Sequence, residues 1–341
     1  MRPGRGLGQQ KEGGAGAARG VPAACYAPGG LAAARGLAAA SALEGSAAKP
    51  AQPEFSEILR KAGKRALGGG LAGAAAMGIN VTTLMWIRTT INFQYRHGLS
   101  TGEALRTLYK EGGGGVPGVL RFYKGYVPAM MQGPLSRFGD TAANAGALAL
   151  LEQYEATKDL GPAVKTLGAS AAAASFRIFI TPLDTWKTTF QVEGKNAPAL
   201  LANKIRRHGP FVLWHGALGA AGATFVGHYP WFVTYNTLDE YLPKYDRKKE
   251  MLPFLGVSAV KGFCASAISD SVSNPIRVLK VYRQTNADSK GYIAAAGEIY
   301  AKEGVGAFYR GLRTKIVANG LQGILFSIAW KYIEDALKKK D

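Results

Sequence analysis

Three stretches, "MWIRTTINFQ" at residues 85–94, "PLDTWKTTFQ" at 182–191 and "PIRVLKVYRQ" at 275–284, align on their closing glutamine and lie 97 and 93 residues apart. Each is followed at a matching offset by a glycine turn: "EGGGGVPGVLRFYKG" ends at Gly125, "HGPFVLWHG" at Gly216 and "EGVGAFYRG" at Gly311. Two motifs recurring in order three times mark an internal repeat of about one hundred residues, which dictates the architecture before any single element is assigned.

Each unit reads as a long helix rich in small residues that carries the glutamine motif, a short amphipathic helix, the glycine turn, and a second long helix. The first helices of the units fall at about 63–95, 162–191 and 252–284, and the second at about 127–150, 217–241 and 312–338. A membrane span takes about 20 mostly apolar residues. Stretches such as "VKTLGASAAAASFRIFITPLD" reach that length only by including polar residues, which a span tolerates on a face lining a cavity. The small-residue runs "GGGLAGAAAMG" and "GASAAAAS" suit close helix packing in a bilayer. A buried soluble bundle would explain the apolar content, but neither the triplication nor the interrupting prolines. The expected fold is an all-α membrane protein with six transmembrane helices in three pseudosymmetric repeats, at 60–155, 160–245 and 250–338.

Residues 1–53 differ from the rest, with Arg2, Arg5, Arg19 and Arg35 against only Glu12 and Glu44. This Gly- and Ala-rich leader reads either as an organellar transit segment or as a disordered tail, and in both cases stands outside the fold. The chain carries a formal charge of +19, which suits nucleic acid, an anionic membrane surface or anionic small molecules. Its bases are spread through all three repeats rather than banded with aromatics on one face, which argues against nucleic acid. With only Cys25 and Cys264, neither a disulfide framework nor a zinc site is expected. No phosphate-binding loop, dinucleotide fingerprint, HExxH or positioned Ser-His-Asp set is present, so no enzyme activity, metal or cofactor is expected.

The tripartite pattern of proline, acid two later, base five later and glutamine nine later, followed by the glycine turn, resembles the mitochondrial carrier family over about residues 60–338. The resemblance implies a threefold barrel, multi-pass in the mitochondrial inner membrane or alternatively the plastid envelope. It also implies a small-molecule substrate, surrounding inner-membrane lipids such as cardiolipin, and a monomer or a subunit of a larger membrane complex. In such a protein Pro182 and Pro275 kink the first helices of their units so that their ends close the matrix side, where acid and base of successive repeats pair and a glutamine braces the pair. Asp184 with Lys280 keeps that pairing. The first repeat has Met85, Ile87 and Thr90 at the proline, acid and base positions, so Lys187 is expected to lose its acidic partner. Arg277 stands in the acid position facing Thr90. One bridge of three then survives, with Gln94, Gln191 and Gln284 retained, and the gate should be weak or be held by other contacts. On the second helices the triplets Asn144, Ala145 and Leu148, Tyr235, Asn236 and Asp239, and Trp330, Lys331 and Glu334 lack the family's gate polarity. "YEATK" at 154–158 spells that motif too far along the helix and reads as a solvated end.

Asn80, Arg177 and Asp270 lie five residues before the proline-equivalent positions, hence at one depth by pseudosymmetry. A charge at mid-membrane costs about 2.5–3.5 kcal/mol, so Arg177 and Asp270 should face water or each other, as a structural ion pair or as a substrate clamp. Gln132, Ser136, Asp140 and Asn144 recur every four residues and share a face, with Arg137 beside them. His228 and Trp231, and Lys315, Asn319 and Gln322, would face that stripe, although a lone histidine is equally a packing or capping residue. The family's contact points fall at Gln132, Ala223 and Ala318; many nucleotide and carboxylate carriers have arginine at the last, so Ala318 argues against a nucleotide. Arg137, Arg177 and Lys315 against Asp140 and Asp270 suit a zwitterion or a small polar anion. Two functions stay open: a carrier moving a small polar or charged metabolite by alternating access, and a non-transporting carrier-fold scaffold or complex subunit. The altered gates favour the scaffold, and the polar stripe favours the carrier.

Overall fold

The structure is a computed structural model that describes residues 55–153, 157, 162–246, 250–288 and 291–338. The leader at 1–53 and most of "YEATK" lie outside the described residues. In chain order the helices are α1 (Phe55–His97), α2 (Thr101–Glu111), α3 (Gly115–Arg121), α4 (Tyr126–Gln153), α5 (Pro162–Glu193), α6 (Ala197–His208), α7 (Ala217–Tyr241), α8 (Met251–Thr285), α9 (Tyr292–Glu303) and α10 (Leu312–Lys338). The six long ones form a ring in which α1 packs on α4, α4 on α5, α5 on α7, α7 on α8, α8 on α10, and α10 back on α1. α1, α5 and α8 also touch pairwise, whereas α4, α7 and α10 do not pack appreciably on one another among the described residues. The barrel is thus gathered along one set of helices and splayed along the other.

The distribution of polarity is that of a protein solvated by lipid. Large apolar side chains such as Val127, Phe179, Leu218, Tyr229, Phe225 and Val272 are exposed on the outer surface of the long helices, while Gln132, Arg177, Asp184, Lys280, Lys315 and Gln322 line the interior. In water such an outer surface would be an association hazard; in a bilayer it is the favourable face, and the helices satisfy their own backbone groups. Among the described residues, only α8 combines length with the hydropathy of a span by itself.

Both prolines of the repeated motif lie inside continuous helices, Pro182 in α5 and Pro275 in α8. Close to each, a hydroxyl bonds a carbonyl one turn back, Thr181 to Arg177 at 2.8 Å and Ser273 to Ser269 at 2.8 Å. That contact bends helices without breaking them.

The gathered end is built by a cyclic exchange of caps. The last carbonyls of a helix lack intrahelical donors, and here a cation from the preceding repeat supplies them. Arg121 donates to Gln191 and Val192 of α5 at 2.9 and 2.7 Å. Lys204 donates to Arg283 and Gln284 of α8 at 3.3 and 3.1 Å. Arg310 donates to Tyr95 and Arg96 of α1 at 3.3 and 3.2 Å. Arg121 and Arg310 are paired in turn with Glu111 and Glu303 at 3.0 and 2.5 Å. His208 takes the place of that acid in the second repeat, and Lys204 has no carboxylate partner among the described residues. Within each repeat the carbonyl three residues before the turn glycine is tied to the repeat's own first helix: Thr89 donates to Phe122, Thr185 to Leu213 and Asn274 to Phe308, at 2.7, 2.7 and 2.8 Å. The surface helices dock by short apolar stripes, Ala104 and Leu108 on α2 and Ala295 and Ile299 on α9; α2 is started by a reciprocal capping box between Ser100 and Glu103.

The turn glycine packs directly against the motif glutamine of the next repeat. At Gly216, φ is 102° and a Cβ would lie 2.8 Å from Gln284 Cγ. Gly216→Ala therefore adds a clash to a left-handed backbone that by itself costs about 1–3 kcal/mol, and thermal unfolding in detergent should show a clear loss of stability. Lys204, on α6 outside the spans, offers a second test. Burial, with Arg283 and Arg96 nearby, lowers its pKa from 10.5 to about 8. Between those values the unfolded chain holds a proton that the folded one has lost, so this group's contribution to stability rises with pH over that window. Lys204→Met should flatten the rise in melting temperature measured between pH 8 and 10.

Candidate functional site

At the floor of the barrel Asp184 of α5 is the hub. Lys280 of α8 approaches Oδ2 at 2.5 Å and Lys187 approaches Oδ1 at 3.0 Å. Gln284 donates to Asp184 Oδ2 at 3.2 Å and to Thr185 Oγ1 at 3.0 Å. The inter-repeat pair and its brace therefore form. Lys187 does not lose its carboxylate as the sequence suggests. With Ile87 in place of an acid across the interface, it turns back three residues to Asp184 and also donates to Gln132 at 3.2 Å. Gln94 and Gln191 brace no carboxylate among the described residues. Gln94 donates to the Leu99 carbonyl at 3.1 Å, and Gln191 accepts from Asn92 at 2.6 Å.

Arg277 likewise does not face Thr90. The threonine is fully buried with its hydroxyl on Trp86 O at 2.9 Å, and the guanidinium runs back along α8 to Asp270 at 3.5 Å, donating to Ser273 at 3.2 Å. A half-buried cation with no acid opposite it reaches the nearest carboxylate on its own face. Where the bridge between α1 and α8 is missing, apolar packing stands instead, Ile87 and Ile91 of α1 clustering with Val278 and Val281 of α8; between α1 and α5, Asn92 donates to Gln191 at 2.6 Å and Gln191 reaches Met85 Sδ at 3.5 Å. Replacing a buried ion pair by packed apolar groups is commonly neutral or stabilising, so the floor is closed by other contacts rather than weakly.

Above this floor is a chamber of two lobes, about 350 and about 200 Å³, sharing Gln132, Arg177, Asp184, Arg277 and Lys280 in their walls. Helical spacing decides who lines it. α4 contributes Gln132, Ser136 and Asp140, and α10 contributes Lys315, Ala318, Asn319 and Gln322; in each helix these share one face. Ala223 and His228 line the smaller lobe, and His228 Nδ1 lies 2.6 Å from Ser170 Oγ. Trp231 stacks on Tyr235 with ring centres 4.9 Å apart. The side chains of Arg137, Asn144, Trp330, Lys331 and Glu334 lie outside the described ones. Asp239, of the second even-helix triplet, pairs with Lys261 of the neighbouring α8 at 2.6 Å.

Arg177 and Asp270 do not pair with each other. Arg177 meets Asp140 of α4 at 2.5 Å, because α4 is the direct neighbour of α5 in the ring. Asp270 instead faces α10, where Asn319 donates to it at 2.6 Å and Lys315 lies at 3.6 Å. Asn80 accepts from Arg88 at 2.7 Å, and the same guanidinium nitrogen reaches Gln322 at 3.1 Å. Arg88 was hidden in the sequence by the degenerate first motif; the signal that marks it is an arginine within a span, two helical turns past Asn80. The described chamber thus gathers Arg88, Arg177, Lys187, Arg277, Lys280 and Lys315 against Asp140, Asp184 and Asp270, a surplus of three positive charges. It is a chamber with room for a small metabolite, floored by the Asp184 contacts, whose walls attract anions.

The sequence pattern described as mitochondrial carrier protein matches residues 158–246 and 253–341. Among curated proteins, mitochondrial phosphate carrier protein 1 of Arabidopsis thaliana is 29% identical over 159 residues, covering 44% of this chain and 48% of that protein. The mitochondrial RNA-splicing protein MRS3 of Saccharomyces cerevisiae is 27% identical over 176 residues, covering 50% and 55%. The mitochondrial glycine transporter of Candida glabrata is 26% identical over 185 residues, covering 50% and 61%. The chain spans about half the length of the curated relatives that it matches. The repeats, the six-helix ring and the family pattern over two repeats agree, and the chain belongs to the mitochondrial carrier family of inner-membrane proteins.

Proposed function

We propose that the chain is a solute carrier that moves a small anionic metabolite across the mitochondrial inner membrane by alternating access. The observation that carries this reading is the chamber: polar, closed on the side that the family places at the matrix, and holding six cations against three carboxylates among its described side chains. Relatives named for phosphate and for glycine bracket the charge type, and the surplus of cations favours an anion over a zwitterion. Inner-membrane lipid is its surroundings and a monomer its working unit. In proteoliposomes, labelled phosphate and small carboxylates should be taken up well above glycine.

Opening the floor requires Lys280 to leave Asp184. Asp184→Asn strips the carboxylate from two half-buried lysines, a loss of at most about 3–5 kcal/mol, the figure for breaking a fully buried pair from one side. A sharp fall in melting temperature together with loss of uptake is expected, and wild-type values for both would remove Asp184 from the gate.

The apolar packing at the α1–α8 bridge position favours a second reading, a carrier-fold scaffold that does not open. The two readings part at Ala318, which lines the larger lobe. With Cys25 and Cys264 replaced by serine, Ala318→Cys should react with a membrane-impermeant thiol reagent, and a transported anion should slow that reaction. A folded, inserted protein with an unreactive cysteine there would favour the scaffold.

A further inference from the structure

The surplus positive charge is unevenly spread over the chamber. On the α4–α5 side the contacts are short: Arg177 on Asp140 at 2.5 Å, Lys280 on Asp184 at 2.5 Å and Lys187 on Asp184 at 3.0 Å. The sector between α1, α8 and α10 holds Arg88, Arg277 and Lys315 with Asp270 alone, and its contacts are long. Arg277 and Lys315 lie 3.5 and 3.6 Å from that carboxylate, whose Oδ2 accepts its short hydrogen bond from Asn319 at 2.6 Å. Arg88 has no acidic partner among the described residues; it is held by the amide oxygens of Asn80 and Gln322 at 2.7 and 3.1 Å. Neutral amides orient a guanidinium without cancelling its charge. Two of the three surplus charges therefore sit in one sector, on cations whose hold on a carboxylate is loose or nil.

We propose that this α1/α8/α10 sector is the binding subsite for an oxyanion carrying two or more negative charges, of the phosphate or dicarboxylate kind, gripped by Arg88, Arg277 and Lys315. Asp270 is the resident counter-ion, which the ligand displaces from Arg277 and Lys315. Guanidinium forks match paired oxyanion oxygens, and Asn319 and Gln322 complete the polar lining. A zwitterion such as glycine would satisfy the sector poorly, since its single carboxylate leaves a charge uncancelled while its ammonium enters a field of cations. The same residues explain what became of the degenerate gate: Arg277, standing where the motif has an acid, has left the floor and joined the chamber wall. The assignment rests on the carrier reading for the ligand's purpose, but its test is binding alone.

Purified full-length protein in detergent, titrated at constant ionic strength with inorganic phosphate, succinate and glycine by calorimetry, tests it. Phosphate or succinate should bind and glycine should not, and the tighter of the two identifies a tetrahedral or a paired-carboxylate ligand. Arg88→Gln should weaken that binding about tenfold or more. Asp270→Asn should strengthen it several-fold, because the competing carboxylate is gone, whereas a purely structural Asp270 would give weaker binding or none. If Arg88→Gln fails to fold, Lys315→Gln should show the same loss. Wild-type affinity in Arg88→Gln, weaker anion binding in Asp270→Asn, or glycine binding in preference to both anions would overturn the subsite. Anion binding with these mutant effects but no uptake in proteoliposomes would keep the subsite and remove transport. Anion uptake indifferent to both substitutions would keep transport and remove the subsite.

Discussion

The last carbonyl groups of α1, α5 and α8 must find donors, and everything at the closed end of the barrel follows from where those donors come from. Arg121, Lys204 and Arg310 each reach out of one repeat to cap the next, so no repeat completes its own helix ends. A cation at a helix C-terminus is stabilised by the macrodipole as well as by its hydrogen bonds, by up to about 2 kcal/mol in partly buried geometry. Because the exchange is cyclic, each of the three units depends on a neighbour for its cap. The turn glycines serve the same end: all three hold a positive φ, and at Gly216 only a residue without Cβ lets the turn lie against the next repeat's glutamine.

On that frame the floor is asymmetric. One side is a braced ion pair on Asp184, and the other is packed aliphatic surface around Ile87, Ile91, Val278 and Val281. The two solutions have comparable stability in a desolvated interior but differ in how they open. Separating the ion pair exposes charges that water or an anion can solvate, whereas separating the aliphatic cluster exposes apolar area, at about 25 cal/mol per Å². Arg277, standing where the motif has an acid, lines the chamber, which ties the degeneration of the gate to the charge of the chamber.

Much of the fold was legible in the sequence. The hundred-residue repeat fixed the number of long helices, and small-residue runs and turn glycines placed their ends to within a few residues of α5, α7, α8 and α10. The stripe Gln132, Ser136, Asp140 was legible because a four-residue spacing allows only one face in a helix. The Asp184–Lys280 pair was legible because both motif positions are present. The pairing of the remaining charges was not. Arg177 to Asp140 follows from which helix neighbours which, whereas Lys187 to Asp184, three residues apart on α5, and Arg277 to Asp270, two turns apart on α8, are spacings that a helix allows and that only the loss of the cross-repeat partners selects.

Sequence alone thus determined the three units, their helices and the inward polar faces, since periodicity and turn chemistry are properties of short segments. The tertiary structure alone decided which charges neutralise which, and so where the surplus lies. A buried charge answers to whatever stands within about 4 Å of it, and for Arg88, Arg277 and Lys187 those neighbours come from the helix ring and from the space left by Ile87 and Thr90.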